Sequence, residues 1–356
     1  LSLNLTQPCD LNLTFAGIMN KDEFYMQRCL QLAQNGLGTT YPNPLVGSVI
    51  VYENKIISEG WHQKAGKPHA EVNAINNAII KLGEEKFEKI APKCSIYVNL
   101  EPCSHTGKTP PCALLLVRHN FKEVIVGTLD PHDKVAGRGI KILEEAGISC
   151  KTGILVDKCN EVNKRFFSFH KYKKPFVLLK WAQTNDGYIA PEFKTKKQPV
   201  WITNSYSLQR VHQQRSTENA ILIGAGTALA DNPSLTTRNW KGTHPFRFVL
   251  ANKKELPKNL NVFHSPDPAQ ILDIPLSDIK TVLQELYKKD IQSVIVEGGS
   301  RTLQAFIDTG LWDEAHIYTS ENTLFHSGVK APELDNQQLK NHFNIKGDTL
   351  RIYHRL

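Results

Sequence analysis

The strongest constraint on how this chain can fold is a set of three soft metal ligands. His69 stands in His69-Ala70-Glu71, Cys103 follows Pro102, and Cys112 comes after an interval of eight residues, Ser104 to Pro111. One imidazole and two thiolates make a zinc set. A structural zinc site normally closes with four protein ligands, whereas a catalytic site uses three and keeps one position for water. Zinc held in that way lowers the pKa of its water toward neutrality. Glu71, two residues from the imidazole, suits proton shuttling better than ligation. Any fold of this chain therefore has to bring separate segments to one point.

The triplet alone says little, because thirteen histidines make one His-x-Glu a common coincidence. The segment between the cysteines says more. Its glycine and prolines read as a rigid loop, and His105 and Lys108 on it are polar groups suited to a substrate. The competing reading is a closed zinc staple with His105 or Cys94 as a fourth ligand.

Hydrophobic periodicity predicts alternating helices and strands. Asp22 caps a helix whose apolar positions are Met26, Cys29, Leu30 and Ala33, and Gly36 ends it. Leu45 to Tyr52 reads as a strand, with Lys55 to Trp61 as its hairpin partner across Glu53-Asn54. A helix runs from about His69 to Leu82, a buried strand from Ser95 to Leu100, and a helix from Pro111 to His119 with proline in its first turn. Glu123 to Thr128 is a strand, followed by a helix through Ile142 and Leu143. Val162 to Lys174 reads as a helix running into a basic linker that Pro175 ends. The second half has strands at Phe176–Ala182, Ala220–Gly224, Phe246–Ala251, Ser293–Glu297 and Glu314–Thr319. Its helices lie at about Ser205–Arg215, Ile279–Lys288 and after Ser300. This alternation is α/β throughout. It puts the ligands at the starts of helices that follow strands, where backbone N–H groups favour thiolate.

With 356 residues the chain holds two domains of ordinary size, and 40% hydrophobic with 22% charged residues is a soluble globular composition. No apolar run approaches a membrane span. Residues 1–18 fit no secretory signal and are expected to be a disordered leader. Seven cysteines without regular spacing suit a reducing cytosol. Cys29 falls on a core pattern, and Cys9, Cys94, Cys150 and Cys159 carry no motif. The net charge of +8 is scattered, with short clusters at Lys171–Lys174 and Lys194–Lys197. It forms no basic stripe with interleaved aromatics, so it fits phosphorylated small molecules better than nucleic acid.

His-x-Glu with Pro-Cys and a second cysteine is the pattern of zinc-dependent nucleobase deaminases, here with a long interval between the cysteines. Glu101 to Cys112, with Asn43-Pro44-Leu45-Val46-Gly47 and His69-Ala70-Glu71, resembles the bifunctional deaminase/reductase family of riboflavin biosynthesis. The resemblance extends from about Asn20 to the last strand. It implies zinc ligation by His69, Cys103 and Cys112, proton transfer by Glu71, and substrate contacts from Asn43, His62, His105 and Lys108.

The second half has no full Gly-x-Gly-x-x-Gly. Gly224-Ala225-Gly226-Thr227 and Glu297-Gly298-Gly299-Ser300 remain as two strand-to-helix glycine turns, able to bring backbone amides near a phosphate or to be plain tight turns. Lys180-Trp181-Ala182, Trp201-Ile202-Thr203, Asp231-Asn232-Pro233-Ser234-Leu235 and the second glycine turn are similar to the reductase half of the same family. That resemblance implies a dihydrofolate-reductase-like fold and NADPH. Trp201, Thr227, Asp231 and the run Gly299, Ser300, Arg301, Thr302, Leu303, Gln304 and Ala305 would face the cofactor. Arg215, Leu235, Arg238 and Glu297 would face the substrate, and Lys253 and Lys254 could meet a 2′-phosphate. Pro199, Asn204, Ala251 and Ser320-Glu321 depart from the family pattern.

The expected protein is therefore a cytoplasmic bifunctional enzyme: an N-terminal cytidine-deaminase-like zinc domain over 19–165, a linker over 166–174, and an NADPH-dependent reductase domain over 175–356. Its substrate would be a diamino-pyrimidinone carrying a ribosylamino phosphate, deaminated at the ring and then reduced from ribosyl to ribityl. It would be a homo-oligomer, dimer or tetramer, that binds neither membrane nor nucleic acid. The rival expectations are a nucleic-acid base deaminase with an appended domain and a zinc-stapled nucleotide-binding protein without turnover.

Overall fold

Alternation along single strands explains the first sheet. On one strand Val49 and Val51 point to one face and Ile50 to the other, as the two-residue period of a strand dictates. Both faces are apolar, so helices must cover both. The computed structural model describes residues 20–105, 110–131, 136–194, 197–251, 256–264 and 267–356. The expected leader lies outside them.

The first half runs α1 (Lys21–Gln34), β1 (Gly47–Tyr52), β2 (Lys55–Trp61), α2 (Ala70–Leu82), α3 (Glu84–Ile90), β3 (Ser95–Leu100), α4 (Cys112–Arg118), β4 (Glu123–Thr128), α5 (Arg138–Glu145), β5 (Ser149–Lys151), α6 (Val156–Val162) and α7 (Lys164–Tyr172). The strands form one sheet in the order β2-β1-β3-β4-β5. Its β3–β4–β5 part is parallel and its β2–β1–β3 part antiparallel. On one face Ile50, Ile96, Val98 and Val126 pack with Ala74, Phe87, Leu116 and Leu143 from α2 to α5. On the other, Val49, Val51, Tyr97 and Ile125 pack with Met26, Cys29 and Leu30 of α1 and Cys159 of α6.

The second half runs β6 (Phe176–Gln183), β7 (Tyr188–Pro191), α8 (Ser205–Thr217), β8 (Ala220–Gly224), α9 (Ala225–Asp231), β9 (Phe246–Leu250), β10 (Gln270–Leu272), α10 (Ile279–Lys288), β11 (Ser293–Val296), α11 (Ser300–Asp308), β12 (Glu314–Ser320), β13 (Gly328–Lys330), β14 (Gln337–Ile345) and β15 (Asp348–Arg355). An eight-stranded sheet has the order β10-β9-β8-β11-β6-β12-β15-β14. It is parallel through β12, and the C-terminal β14–β15 hairpin completes it antiparallel. β8 and β11 are buried along their whole length, which is why both read as uninterrupted apolar runs.

Several expectations shift in detail. The cap of α1 is Asn20, whose side chain accepts from the Asp22 N–H at 3.2 Å. Asp22 instead receives the Tyr97 hydroxyl at 2.8 Å and Lys151 at 3.3 Å. The helix expected over Val162–Lys174 is α7, Lys164–Tyr172, and a separate helix, α6, ends just before it at Val162, with Asn163 between the two. That side chain is committed to the Leu45 backbone, accepting from its N–H at 2.8 Å and donating to its carbonyl at 2.9 Å. The supposed linker is α7 itself, with Phe166 and Phe169 buried and the Phe169 ring 4.5 Å from that of Tyr287.

The two halves meet along a charged seam. Arg165 forms a two-pronged ion pair with Glu218, the side chains only 15% and 0% exposed. Lys164 reaches Glu314 at 2.7 Å, and Lys174 holds Asp313 at 2.8 and 2.7 Å. Breaking a buried pair on one side strands the other charge, at a cost of about 3–5 kcal/mol. Arg165→Met should lower unfolding stability by that order, and adding Glu218→Leu should recover much of it. Urea titration of the three proteins checks this, and an unchanged midpoint for the single variant contradicts it.

Candidate active sites

The first site forms where two helices begin. His69 is the N-terminal cap of α2, Glu71 lies in its first turn, and Cys112 is the first residue of α4. Cys103 follows β3, and the Cys112 N–H donates to its sulfur at 3.2 Å. The carboxylate before it, Glu101, accepts from the N–H groups of Asp130 (3.2 Å), Gly137 (2.9 Å) and Gly139 (2.9 Å) and so ties the chain after β4 to the site.

His69 Nδ1 stands 3.6 Å from Cys103 Sγ and 3.3 Å from Cys112 Sγ. Ligand atoms about 2.0–2.3 Å from one tetrahedral ion lie roughly 3.6 Å apart, so the three donors fit zinc. Among the described residues no fourth His, Cys, Asp or Glu joins this cluster. Cys94 is buried elsewhere with its thiol on the Ile90 carbonyl, and His105 lines the cavity without joining the ligands. The closed-staple expectation thus finds no fourth ligand among them. Cys103 is pulled toward thiolate by a hydrogen bond from Cys112, against burial and with help from His69, while sharing that proton and burial push Cys112 up. A cation bound by these three residues would favour thiolate at both cysteines. Burial pushes the Glu71 carboxyl up to about 7, against the pull of His69.

The cavity above these groups has a volume of about 510 Å³. Asn43 and His62 line it and bond each other at 3.0 Å, and His62 Nδ1 lies 3.0 Å from the Pro68 carbonyl. Burial lowers the His62 pKa, so its ring is neutral. Lys108 lies outside the described residues. Sequence reasoning missed one whole wall: Phe166, Phe169 and His170 from α7, with Asp290 and Gln292 from the turn between α10 and β11. No local motif marks residues that arrive from another sheet.

The second cavity, about 790 Å³, opens at the carboxyl ends of β6, β8 and β11. Its centre is a buried charge cluster. Arg215 clamps Glu297 through two bonds of 2.9 and 2.7 Å, and Lys180 approaches the same carboxylate at 3.8 Å. Burial alone would raise Glu297, but Arg215 and Lys180 outweigh it and hold it at about 2. His212 accepts the Arg238 N–H at 3.1 Å, and burial with Arg215 holds it down to about 4, so it stays neutral.

The two glycine turns lie side by side: the Gly299 N–H donates to Thr227 Oγ1 at 2.8 Å. A Cβ on Gly224 would stand 2.4 Å from Thr302 Oγ1, and one on Gly298 2.7 Å from Thr302 Cβ, so these turns require glycine for close approach. Amides at the start of α11 meet there, which fits a phosphate.

Trp201, Thr227, Asp231, Gly299, Ser300, Arg301 and Thr302 line this cavity, as do Arg215, Leu235, Arg238 and Glu297. Leu303, Gln304 and Ala305 do not. Only the first turn of α11 faces the cavity; Leu303 is in the core, Ala305 packs against it, and Gln304 bonds Asp308 and the Glu333 backbone. In sequence Lys180 figures only within a family motif and Lys194, which pairs with Asp231, only within a basic cluster, so neither receives a site role there, and His212 is not singled out. Of the departures, Asn204 caps α8 by accepting from Tyr206 and Ser207 N–H groups, while Pro199 and Ala251 line the cavity. Ser320 bonds Thr323 at 3.0 Å and Glu321 accepts from Thr349 at 3.4 Å. Lys253 and Lys254 lie outside the described residues.

Two family models match the chain: "Cytidine and deoxycytidylate deaminase zinc-binding region" over residues 19–128 and "RibD C-terminal domain" over 175–324. Riboflavin biosynthesis protein RibD of Bacillus amyloliquefaciens is 38% identical over 338 residues, 88% of this chain and 87% of that protein. Its counterpart in Aquifex aeolicus is 35% identical over 324 residues, 85% of this chain and 88% of that one. A solved diaminohydroxyphosphoribosylaminopyrimidine deaminase/5-amino-6-(5-phosphoribosylamino)uracil reductase from Thermotoga maritima superposes with a TM-score of 0.83 at 33% identity, covering 94% of this chain and 99% of that one.

Two measurements test the sites. Purified protein should carry close to one zinc per chain, and Cys103→Ser and Cys112→Ser should each lose it, because two ligands are too few for tight binding; elemental analysis showing full zinc in either variant refutes the ligand set. Glu297→Gln should destabilise the fold more at pH 7 than at pH 3. Its folded pKa, about 2, lies below the ordinary 4.5, so its contribution is complete above the unfolded value and fades as pH falls toward the folded one. Equal wild-type-minus-variant differences at both pH values contradict this.

Proposed function

The chain belongs to the RibD family of riboflavin biosynthesis proteins, and from that membership we propose how its residues divide the work of a bifunctional enzyme, a zinc-dependent deaminase joined to an NADPH-dependent reductase. The observation that carries the assignment is the meeting of His69, Cys103 and Cys112 with buried Glu71 beside them in a cavity of small-molecule size.

In the first cavity His69, Cys103 and Cys112 hold zinc, whose chemistry is to make a water acidic enough to give up a proton near neutral pH. Glu71 takes that proton and delivers protons to the ring nitrogen and to the departing ammonia. A carbon–nitrogen bond breaks, a carbon–oxygen bond forms, and no electrons are exchanged with an outside group. Asn43, His62 and His105, which line the cavity, hold the substrate together with Lys108. The wall of Phe166, Phe169, His170, Asp290 and Gln292 supports a small molecule rather than a polynucleotide as occupant.

In the second cavity Trp201, Thr227, Asp231 and the turn Gly299–Thr302 hold NADPH, which supplies hydride. Arg215, Arg238, Leu235 and Glu297 hold the opened sugar and its phosphate, with Arg238 as the arginine whose fork is not spent on Glu297. The product is the ribityl compound. No helix among the described residues is long and apolar enough to cross a membrane, and a cytoplasmic location accords with the thiols. The edge strand β14, with Leu339 and Phe343 exposed, supports assembly into a dimer or tetramer.

The test is separability, with both half-reactions assayed on each variant. Glu71→Ala should keep its zinc yet lose deamination by about 10²–10⁴-fold, and should still oxidise NADPH when given the deaminated substrate. Arg215→Ala and Asp231→Ala should release ammonia normally and reduce poorly. Near-normal deamination by Glu71→Ala sinks its proposed role. Loss of both activities in a folded, zinc-loaded Glu71→Ala sinks the two-site division.

A further inference from the structure

We propose that Gln292, which belongs to the reductase sheet, is a positioning residue for deamination; this rests on the deaminase reading above. Gln292 immediately precedes β11 and is almost fully buried. Its backbone belongs to the second half: its N–H donates to Asn219 Oδ1 at 3.0 Å, and its carbonyl accepts from Phe176 at 2.9 Å. Its side chain leaves that half. Nε2 donates to the Pro42 carbonyl at 2.6 Å, across the seam and one residue before Asn43.

The segment from Tyr41 to Leu45 is thereby suspended between the two sheets. On the reductase side the Tyr41 hydroxyl lies 3.1 Å from both the Thr217 carbonyl and Ser293 Oγ, and Gln292 holds Pro42. On the deaminase side Asn163 accepts from the Leu45 N–H and donates to its carbonyl, and Asn99 donates to the same carbonyl at 3.0 Å. Asn43 stands between these anchors. Its amide meets His62 Nε2 at 3.0 Å, while His62 Nδ1 faces the Pro68 carbonyl; donation there leaves Nε2 as the acceptor that Asn43 Nδ2 requires. The His62 ring lies edge-on, 5.4 Å from that of the zinc ligand His69. Gln292 borders the deaminase cavity, but its amide is spent on Pro42, so it acts on the reacting pyrimidine through Pro42, Asn43 and His62. It does not line the reductase cavity.

The experiment uses the full-length, zinc-loaded protein. Gln292→Met keeps an unbranched side chain of similar length and removes the donor. A buried acceptor left without its partner shifts an equilibrium by about tenfold or more, so deaminase kcat/KM should fall by about tenfold, most of it in KM. Zinc content should not change, and reduction of the deaminated substrate should stay within about twofold of wild type. In an Asn43→Ala background the same substitution should add less than about twofold, because the contact it serves is already gone. Gln292→Glu, of equal shape with an acceptor facing Pro42, should match the loss at alkaline pH, and it keeps the test decisive if the methionine variant folds poorly. Unchanged deamination overturns the proposal. So does additivity with Asn43→Ala, or a parallel fall of both activities with the melting temperature, which marks a general seam contact. A zinc-loaded wild type that releases no ammonia overturns the deaminase reading itself, and this inference with it.

Discussion

The buried pair between Arg165 and Glu218 joins the two halves of the molecule, and both sites lean on that junction. Glu218 caps the end of α8, whose preceding turn carries Arg215 of the reductase cavity. Arg165 sits on α7 beside Phe166, which lines the deaminase cavity. One guanidinium–carboxylate contact therefore fixes a wall of the first site relative to the helix that serves the second. Such a pair contributes little net stability, since desolvation opposes attraction, but it penalises any other arrangement of the halves heavily. Lys164–Glu314 and Lys174–Asp313 repeat the device along the same seam.

The two centres control charge by different means. At the metal cluster, the hydrogen bond from Cys112 and the neighbouring His69 imidazole favour thiolate on Cys103, while Cys112 is pushed up. Glu71 is pushed up chiefly by burial, with the Cys103 charge adding to it against the pull of His69, which keeps a proton available near neutrality. In the reductase cavity three charged side chains are buried together. Glu297 stays ionised because Arg215 and Lys180 face it. In that cluster the Arg215 fork is committed to Glu297, so the three charges are buried together without leaving the carboxylate uncompensated.

Where local reading went astray, the reason was a long-range partner. Asp22 has the chemistry of a cap, but Tyr97 and Lys151 claim its carboxylate and Asn20 caps instead. The helix expected from Val162 begins at Lys164, because Asn163 is committed by two bonds to Leu45, far away in sequence, and separates it from α6. Leu303, Gln304 and Ala305 follow the glycine turn in sequence, but the cavity lies at the start of α11, so only its opening turn reaches it, and Leu303 beyond that turn packs into the core.

Sequence by itself marked His69, Cys103 and Cys112, which the structure brings together, as a candidate ligand set with Glu71 beside it, along with the α/β alternation and the glycine turns. These are signatures of residue type and short spacing, written within one segment or two. Even the two-residue hairpin at Glu53 and Asn54, with φ of 47° and 62°, was legible from its residues. Only the tertiary structure decided which surfaces close each cavity. Lys180 reaches Glu297 because β6 and β11 are neighbours in the sheet, and Gln292 reaches Pro42 because two sheets meet at a seam. Such contacts depend on strand order and domain docking, which arise from burial summed over the whole chain and leave no periodic or motif-sized trace in it.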